Sequence, residues 1–256
     1  MAEQRPKDKK LAEAKISHSF SKRDKYAQCP RLYYEQYIAK SLPYVESENQ
    51  ALGTAVHDAL DYALKHNEDI NMSELKNKCA SAKADYEPKI PGGAATALDE
   101  ICKRSGLKIA EQEWALGFDF KPCAWFAKKP VMDRAKADVC TVNGDFAWVD
   151  DYKTGQAKYV HQEQLVDMAI HVLCRFPHIQ KVQATFWMLK ETPKNFKIVR
   201  QYERGSPEIK ERAVQWINIH KEILQRNASG DWPETAGDGC RFCEVEDCAN
   251  HPSQAY

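Results

Sequence analysis

Up to about residue 110 the apolar positions keep helical spacing. After "ISHSFSKR", where Ser19 or Ser21 offers a helix cap, Tyr26, Cys29, Leu32, Tyr33 and Tyr37 fall on one side of a helix. Pro30 either interrupts that helix or starts its second part. In "SENQALGTAVHDALDYALKH" the residues Ala51, Leu52, Ala55, Val56, Ala59, Leu60 and Ala63 form one face, which predicts a second helix. A third is predicted over roughly 73–87, ended by the proline and glycines of "EPKIPGG".

Beyond residue 110 the pattern shortens. "EWALGFDF", "KADVCTV", "FAWVDDYK" and "VQATFWML" are brief runs rich in β-branched and aromatic residues, separated by turn signals such as Asn143-Gly144. "NFKIVRQYE" adds a last strand. Leu165, Met168, Ala169, Val172 and Leu173 return to helical spacing between the third and fourth runs. A final helix follows Ser206 as its cap and stops at Gly230. The order is helices, a three-strand meander, a helix, one or two strands and a helix, which predicts an α/β (α+β) fold with a mixed β-sheet flanked by helices. The expected organisation is a flexible basic leader at 1–15, an N-terminal helical segment at 16–110, a core at 111–230 and a cysteine-rich C-terminal segment at 231–256.

At 256 residues the chain can bury one substantial core, or one core and a small satellite. Lys+Arg and Asp+Glu are 37 each, so any nucleic-acid partner has to be held by a local basic groove and not by net charge. No apolar run approaches the roughly 20 residues of a membrane span, and the polar N-terminus has no apolar signal core. A cytoplasmic protein is expected. Nine cysteines make an odd number for a disulfide framework. Cys79, Cys102, Cys123, Cys140 and Cys174 stand alone and read as ordinary small core residues, whereas clustered thiols in a reducing compartment point to metal.

"VDDYKTGQ" carries the densest chemistry. Asp151 and Lys153 are two apart, so on a strand both project to one face. A carboxylate that binds a cation and an amine that stabilises phosphate charge suit hydrolysis. An isolated Asp-x-Lys is usually a surface ion pair; here an apolar strand runs into it and a Thr-Gly turn follows. Asp150 faces the other way and serves as an internal control whose loss is expected to spare activity. Asp138 precedes a strand that forms a hairpin with the one bearing Asp151, so the two carboxylates can share one magnesium. His57 lies on a helix, and Gln164 stands near the start of the helix after the Asp-x-Lys strand.

Taken in order, "GTAVH" (53–57), "AKAD" (135–138), "DYKTG" (151–155) and "QLVDM" (164–168) resemble the RecB-like nucleases of the PD-(D/E)xK superfamily. That pattern runs Gly-x-x-x-His, Gly-x-x-Asp, Asp-Tyr-Lys-Thr-Gly and Gln-x-x-x-Tyr. Ala135 replaces the usual glycine and Met168 the usual tyrosine. The resemblance, over about residues 16–250, implies a restriction-endonuclease-like fold. It implies that His57, Asp138 and Asp151 bind Mg²⁺ or Mn²⁺, with Lys153 as the catalytic lysine and Gln164 supporting the site.

"GDGCRFCEVEDCANHP" places Cys240, Cys243 and Cys248 together, one short of the usual four ligands. His251 and Cys29 are the two candidates for the fourth. An iron–sulfur subset of the same family, which includes CRISPR-associated RecB-like exonucleases and the AddB nuclease domain, uses one cysteine upstream of the histidine motif and three at the C-terminus. That resemblance implies a [4Fe–4S] cluster on Cys29, Cys240, Cys243 and Cys248, clasping the two ends; ligand chemistry alone also permits Zn²⁺. The expected function is a metal-dependent deoxyribonuclease, an exonuclease acting on DNA ends or single strands in recombination, repair or phage DNA processing. The alternatives are a non-catalytic iron–sulfur DNA-binding or recombination-mediator module and a zinc-stabilised adaptor. DNA is the expected partner, and a homo-oligomer or a recombination protein stays open.

Overall fold

The computed structural model describes residues 16–43, 46–66, 73, 77, 89–128 and 130–254. The leader at 1–15 and nearly all of the helix predicted over 73–87 lie outside them. Ser19 caps the first helix, α1 (Phe20–Gln28), with its Oγ accepting from the Lys22 N–H at 3.4 Å. At Cys29 the backbone becomes extended, so Pro30 opens a second helix, α2 (Pro30–Tyr33), at a position where it has no N–H to lose. A π-helical turn (Tyr34–Ala39) follows and ends at Lys40, whose φ of 54° is left-handed. Helix α3 (Glu48–His66) buries Leu52, Ala55, Val56, Leu60 and Ala63, as the apolar spacing predicts.

"KIPGG" starts a helix, α4 (Lys89–Cys102). Pro91 falls in its first turn, where a backbone N–H has no intrahelical partner anyway. Gly93 is required for a different reason. A Cβ there would overlap the Leu189 carbonyl oxygen, so the helix approaches the sheet only with glycine at this position.

Six strands follow: β1 (Leu107–Gly117), β2 (Pro122–Cys123), β3 (Val131–Asn143), β4 (Phe146–Lys153), β5 (Lys181–Met188) and β6 (Lys197–Glu203). They form one sheet in the order β2-β1-β3-β4-β5-β6. Only β4 and β5 run parallel; helix α5 (Glu163–Arg175) carries the chain between them. A parallel pair needs such a crossover, while the Asn143-Gly144 turn suffices for the antiparallel β3–β4 hairpin. Helix α6 (Pro207–Ser229) ends at Gly230 with φ 73°; Ser206 stands at its N-cap position but its hydroxyl makes no cap bond. Helices α3 and α4 cover one face through Leu60, Ile101, Val139 and Trp187. Helix α5 covers the other through Leu165, Val172, Val149 and Phe186, and α6 adds Trp216 against Leu116 and Met132. Each such side chain contributes about 1.5–3 kcal/mol on burial. The mixed sheet and its two helical layers are the fold class expected from the sequence.

Candidate active site

Strands β3 and β4 pair only through their Asn143–Phe146 ends, and their last Cα pair is Val139 with Asp150. One step further the ladder stops. There the Tyr152 N–H donates to the Asp138 carboxylate at 2.7 Å, so a side chain replaces the missing backbone acceptor. Carried one step past Val139 and Asp150, the antiparallel register places Asp138 opposite Asp151 on β4. On the other side, Ala110 pairs with Val139 and Gln112 with Ala137, which sets Glu111 of β1 opposite Asp138. Glu111, Asp138 and Asp151 thus form a row of three carboxylates across three adjacent strands. Direct cross-strand neighbours of like charge repel, so the row needs positive charge.

Helix α3 supplies His57 from one side. Its Nδ1 lies 3.1 Å from Asp138 Oδ1 and its Nε2 3.0 Å from the Tyr152 carbonyl oxygen. Burial alone would lower the His57 pKa, but the charges of Asp138 and Asp151 outweigh it and raise it to about 9. The ligand atoms of His57, Glu111 and Asp138 all lie within 4.8 Å of one another. Glu111 reaches this group from a left-handed backbone, φ 45°, in mid-strand. A non-glycine residue rarely holds that conformation, and such strain concentrates at functional sites. Burial raises its pKa, and the Asp138 charge adds to this.

Asp151 is engaged differently. Lys153 Nζ sits 2.6 Å from its Oδ2 and donates to Gln164 Oε1 at 3.0 Å, while Gln164 Nε2 donates to Asp151 Oδ1 at 3.4 Å. The three side chains close a ring built from β4 and the first turn of α5. Lys153 also lies over the Phe186 ring, 4.8 Å from its centre. Burial raises the pKa of Asp151 in spite of Lys153, with the neighbouring Asp138 charge acting in the same direction.

All five residues singled out in the sequence, His57, Asp138, Asp151, Lys153 and Gln164, line one cleft of about 690 Å³. Met168, at the position where the family pattern has tyrosine, is buried beside them. Asp150 does face the opposite side, but it is no neutral control. It is fully buried, with Arg104 at 2.5 and 3.1 Å and the Trp187 Nε1–H at 2.8 Å. Replacing it disturbs the α4 side of the core. Glu111 is the residue that sequence reasoning missed. The first strand was expected from Glu113 onward, whereas β1 starts at Leu107 and brings Glu111 into register.

A second charged group borders the cleft. Arg23 of α1 bridges Asp133 on β3 and Asp167 on α5, the latter at 2.6 Å. His171 Nε2 sits 2.8 Å from Asp133, and Arg212 and the Trp216 Nε1–H both reach Asp167. His18 Nε2 meets His220 Nδ1 at 2.9 Å.

The cysteines lie elsewhere. The C-terminal segment returns to α2: the Arg31 N–H donates to the Pro233 carbonyl at 3.1 Å, and its guanidinium reaches Asp247 at 2.9 and 3.0 Å. Trp232 lies against Tyr33 and Tyr34, with ring centres 6.1 and 5.1 Å away. Cys29 stands at the α1–α2 junction, two residues before Arg31. Cys29, Cys240, Cys243 and Cys248 are all free thiols, and burial raises the pKa of Cys248. Among the described residues only His57, Glu111 and Asp138 bring three ligand atoms within 4.8 Å of one another, so the four sulfurs are not gathered here. His251 has both ring nitrogens engaged, Nε2 with the Cys243 carbonyl at 3.1 Å and Nδ1 with Ser253 Oγ at 2.7 Å.

No helix among the described residues is long and apolar enough to cross a membrane. No curated protein matches the chain. Among solved structures, it is similar to a provisionally assigned exonuclease from Eubacterium rectale at 12% identity, covering 92% of this chain and 91% of that one, with a TM-score of 0.48. It is also similar to the protein SSO0001 at 15% identity, covering 80% and 88%, with a TM-score of 0.33. Likeness at these levels carries no argument about activity. The family model of the PD-(D/E)XK nuclease superfamily matches residues 17–248, a span that takes in the whole sheet and every residue of the cleft described above. The chain therefore belongs to the PD-(D/E)XK nuclease superfamily.

Proposed function

We propose that this chain is a Mg²⁺- or Mn²⁺-dependent deoxyribonuclease that acts as an exonuclease on DNA ends or single strands. The observation that carries this reading is the row of Glu111, Asp138 and Asp151 with Lys153 in one cleft. Carboxylate oxygens with one imidazole form a donor set that suits magnesium or manganese. The shortage of fixed cations around the row, and the upward pKa of Asp151 and Glu111, are consistent with a divalent ion completing it. His57, Glu111 and Asp138 would hold the ion, with Asp151 at its edge. When bound, such an ion polarises a phosphodiester and makes a water more acidic.

The protein's own part follows from the ring at β4. Lys153 sets its amine where a phosphate gains negative charge during attack. Gln164 accepts from Lys153 and donates to Asp151, which fixes both without neutralising either. Digestion of 5′- and 3′-labelled single- and double-stranded oligonucleotides with Mg²⁺ or Mn²⁺ tests the function and gives its polarity. Both Asp151→Ala and Lys153→Ala are expected to lose cleavage while keeping the fold; near-normal cleavage by Asp151→Ala would overturn the assignment.

The same reading includes a [4Fe–4S] cluster on Cys29, Cys240, Cys243 and Cys248. One observation supports it over a local zinc site: the C-terminal segment already closes on the Cys29 junction through Arg31 and Trp232. Protein purified without oxygen is expected to be brown, and Cys29→Ser to lose iron and soluble yield together. His251→Ala is expected to keep its metal. The reverse pattern would make the segment a zinc site and leave the nuclease centre untouched.

A further inference from the structure

The turn between β2 and β3 carries Trp125 and Phe126, and both line the mouth of the cleft. Four aromatic residues stand between β1 and β3, and three of them have partners. Phe118 lies against the His220 ring at 4.5 Å, Phe120 stacks on Trp216 at 6.0 Å, and Arg134 sits over Trp125 at 5.5 Å. Phe126 is 87% exposed and, among the described residues, meets no ring and no cation. Folding gives no reason for a phenylalanine there, because its burial would contribute about 1.5–3 kcal/mol that this position forgoes.

Its support is nonetheless built. Arg134 Nε donates to the Trp125 carbonyl at 3.0 Å, and another guanidinium nitrogen of Arg134 bonds Ser17 Oγ. The same arginine thus ties the turn to the segment that enters α1, across the mouth of the cleft. Lys22, held by the Ser17 carbonyl at 3.0 Å, and Lys136 line the same mouth. A fixed aromatic pair beside cations is the arrangement that grips single strands, the cations taking phosphates and the rings taking base faces. A base in duplex DNA has both faces covered by its neighbours and gains nothing from such a ring.

We infer that Phe126, next to Trp125 in the same turn, is a stacking platform for an unpaired base of the DNA strand entering the cleft. This rests on the reading of the cleft as a DNA site and narrows its substrate to strands with unstacked bases. The platform binds and orients; it takes no part in the bond-breaking step.

The test uses the full chain with Asp151→Asn to prevent cleavage, and compares it with the same chain also carrying Phe126→Ala. Binding of a single-stranded oligonucleotide containing 2-aminopurine is followed by anisotropy and by quenching of the probe. Phe126→Ala is expected to weaken single-strand binding on the order of ten-fold and to abolish the quenching. Phe126→Tyr is expected to restore both. Binding to a covalently closed circular duplex is expected to be the same in all three. Phe126 is a surface residue, so thermal unfolding should not change. Unaltered single-strand affinity in Phe126→Ala, or an equal loss on the closed duplex, overturns the platform alone. Failure of wild-type protein to bind any DNA overturns the functional reading beneath it as well.

Discussion

Asp133 and Asp151 border the same cleft and are 1% and 5% exposed, yet their surroundings drive them in opposite directions. Burial pushes both carboxyls up. At Asp133 the Arg23 charge and the His171 hydrogen bond overcome burial and hold the pKa below the usual carboxylate range. At Asp151 the Lys153 and His57 charges do not, and Asp138 next door adds to the rise. The two arginines Arg23 and Arg212 saturate Asp133 and Asp167 with permanent positive charge. The row of Glu111, Asp138 and Asp151 has no arginine and is short of cations. Depth of burial is therefore a poor guide to purpose, and what separates a strut from a reactive centre is whether the protein itself completes the charge balance.

The sharpest way to break the comparison is to remove the cation from the saturated group. Arg23→Ala leaves Asp133 and Asp167 buried with reduced compensation, and is expected to cost about 3–5 kcal/mol of stability by chemical denaturation. A loss under 1 kcal/mol would mean that His171 and Arg212 suffice. Next comes the reactive group. Asp151→Asn is expected to slow cleavage on the order of 100-fold or more while raising the melting temperature in metal-free buffer, because burial disfavours its charge. Asp133→Asn should lower the melting temperature instead. Equal signs for the two substitutions would sink the contrast.

A third measurement sharpens it through mass action. Mg²⁺ or Mn²⁺ at about a hundred times its dissociation constant is expected to stabilise the wild-type chain by about 2.7 kcal/mol. Asp138→Asn and Glu111→Gln should each remove most of that gain, whereas Arg23 variants should keep it. A fourth effect is one of pH. Burial, reinforced by the His220, Arg23 and Lys22 charges and opposed by Asp133, lowers the His18 pKa from 6.5 to about 3. The unfolded chain then takes up a proton at His18 that the folded one refuses. Its contribution is complete above the unfolded pKa and falls away as the pH drops from there toward the folded value. The slope approaches about 1.4 kcal/mol per pH unit for one proton. His18→Gln should flatten the acid limb of a melting-temperature profile; an unchanged limb would mean other groups control it.

Much of this contrast was written in local pattern. The Asp-x-Lys pair was legible because strand alternation alone sends both side chains to one face, and His57 because its helix has a clean apolar stripe behind it. Glu111 was not legible. Its place depends on the register of β1 against β3 and on a backbone turn into left-handed space, neither of which leaves a mark on "KIAEQEW". The Arg23 group was hidden for a related reason. Its members come from three helices and a strand, and Asp133 and Asp167 lie 110 and 144 residues from Arg23 along the chain. The helix that "KIPGG" opens was not legible because proline and glycine read as breakers, while here one lies in a first helical turn and the other lets the helix touch the sheet.

The alignment of Glu111, Asp138 and Asp151 also bears on when the protein becomes active during its synthesis. The row exists only after β1, β3 and β4 have paired, and Lys153 is held only once α5 has arrived with Gln164. A nascent chain that has emerged as far as the His57 helix carries one member of the centre and none of its carboxylates. On the function proposed above, hydrolytic power comes on only with completed folding, and fragments released early from the ribosome would be inert toward the nucleic acid around them.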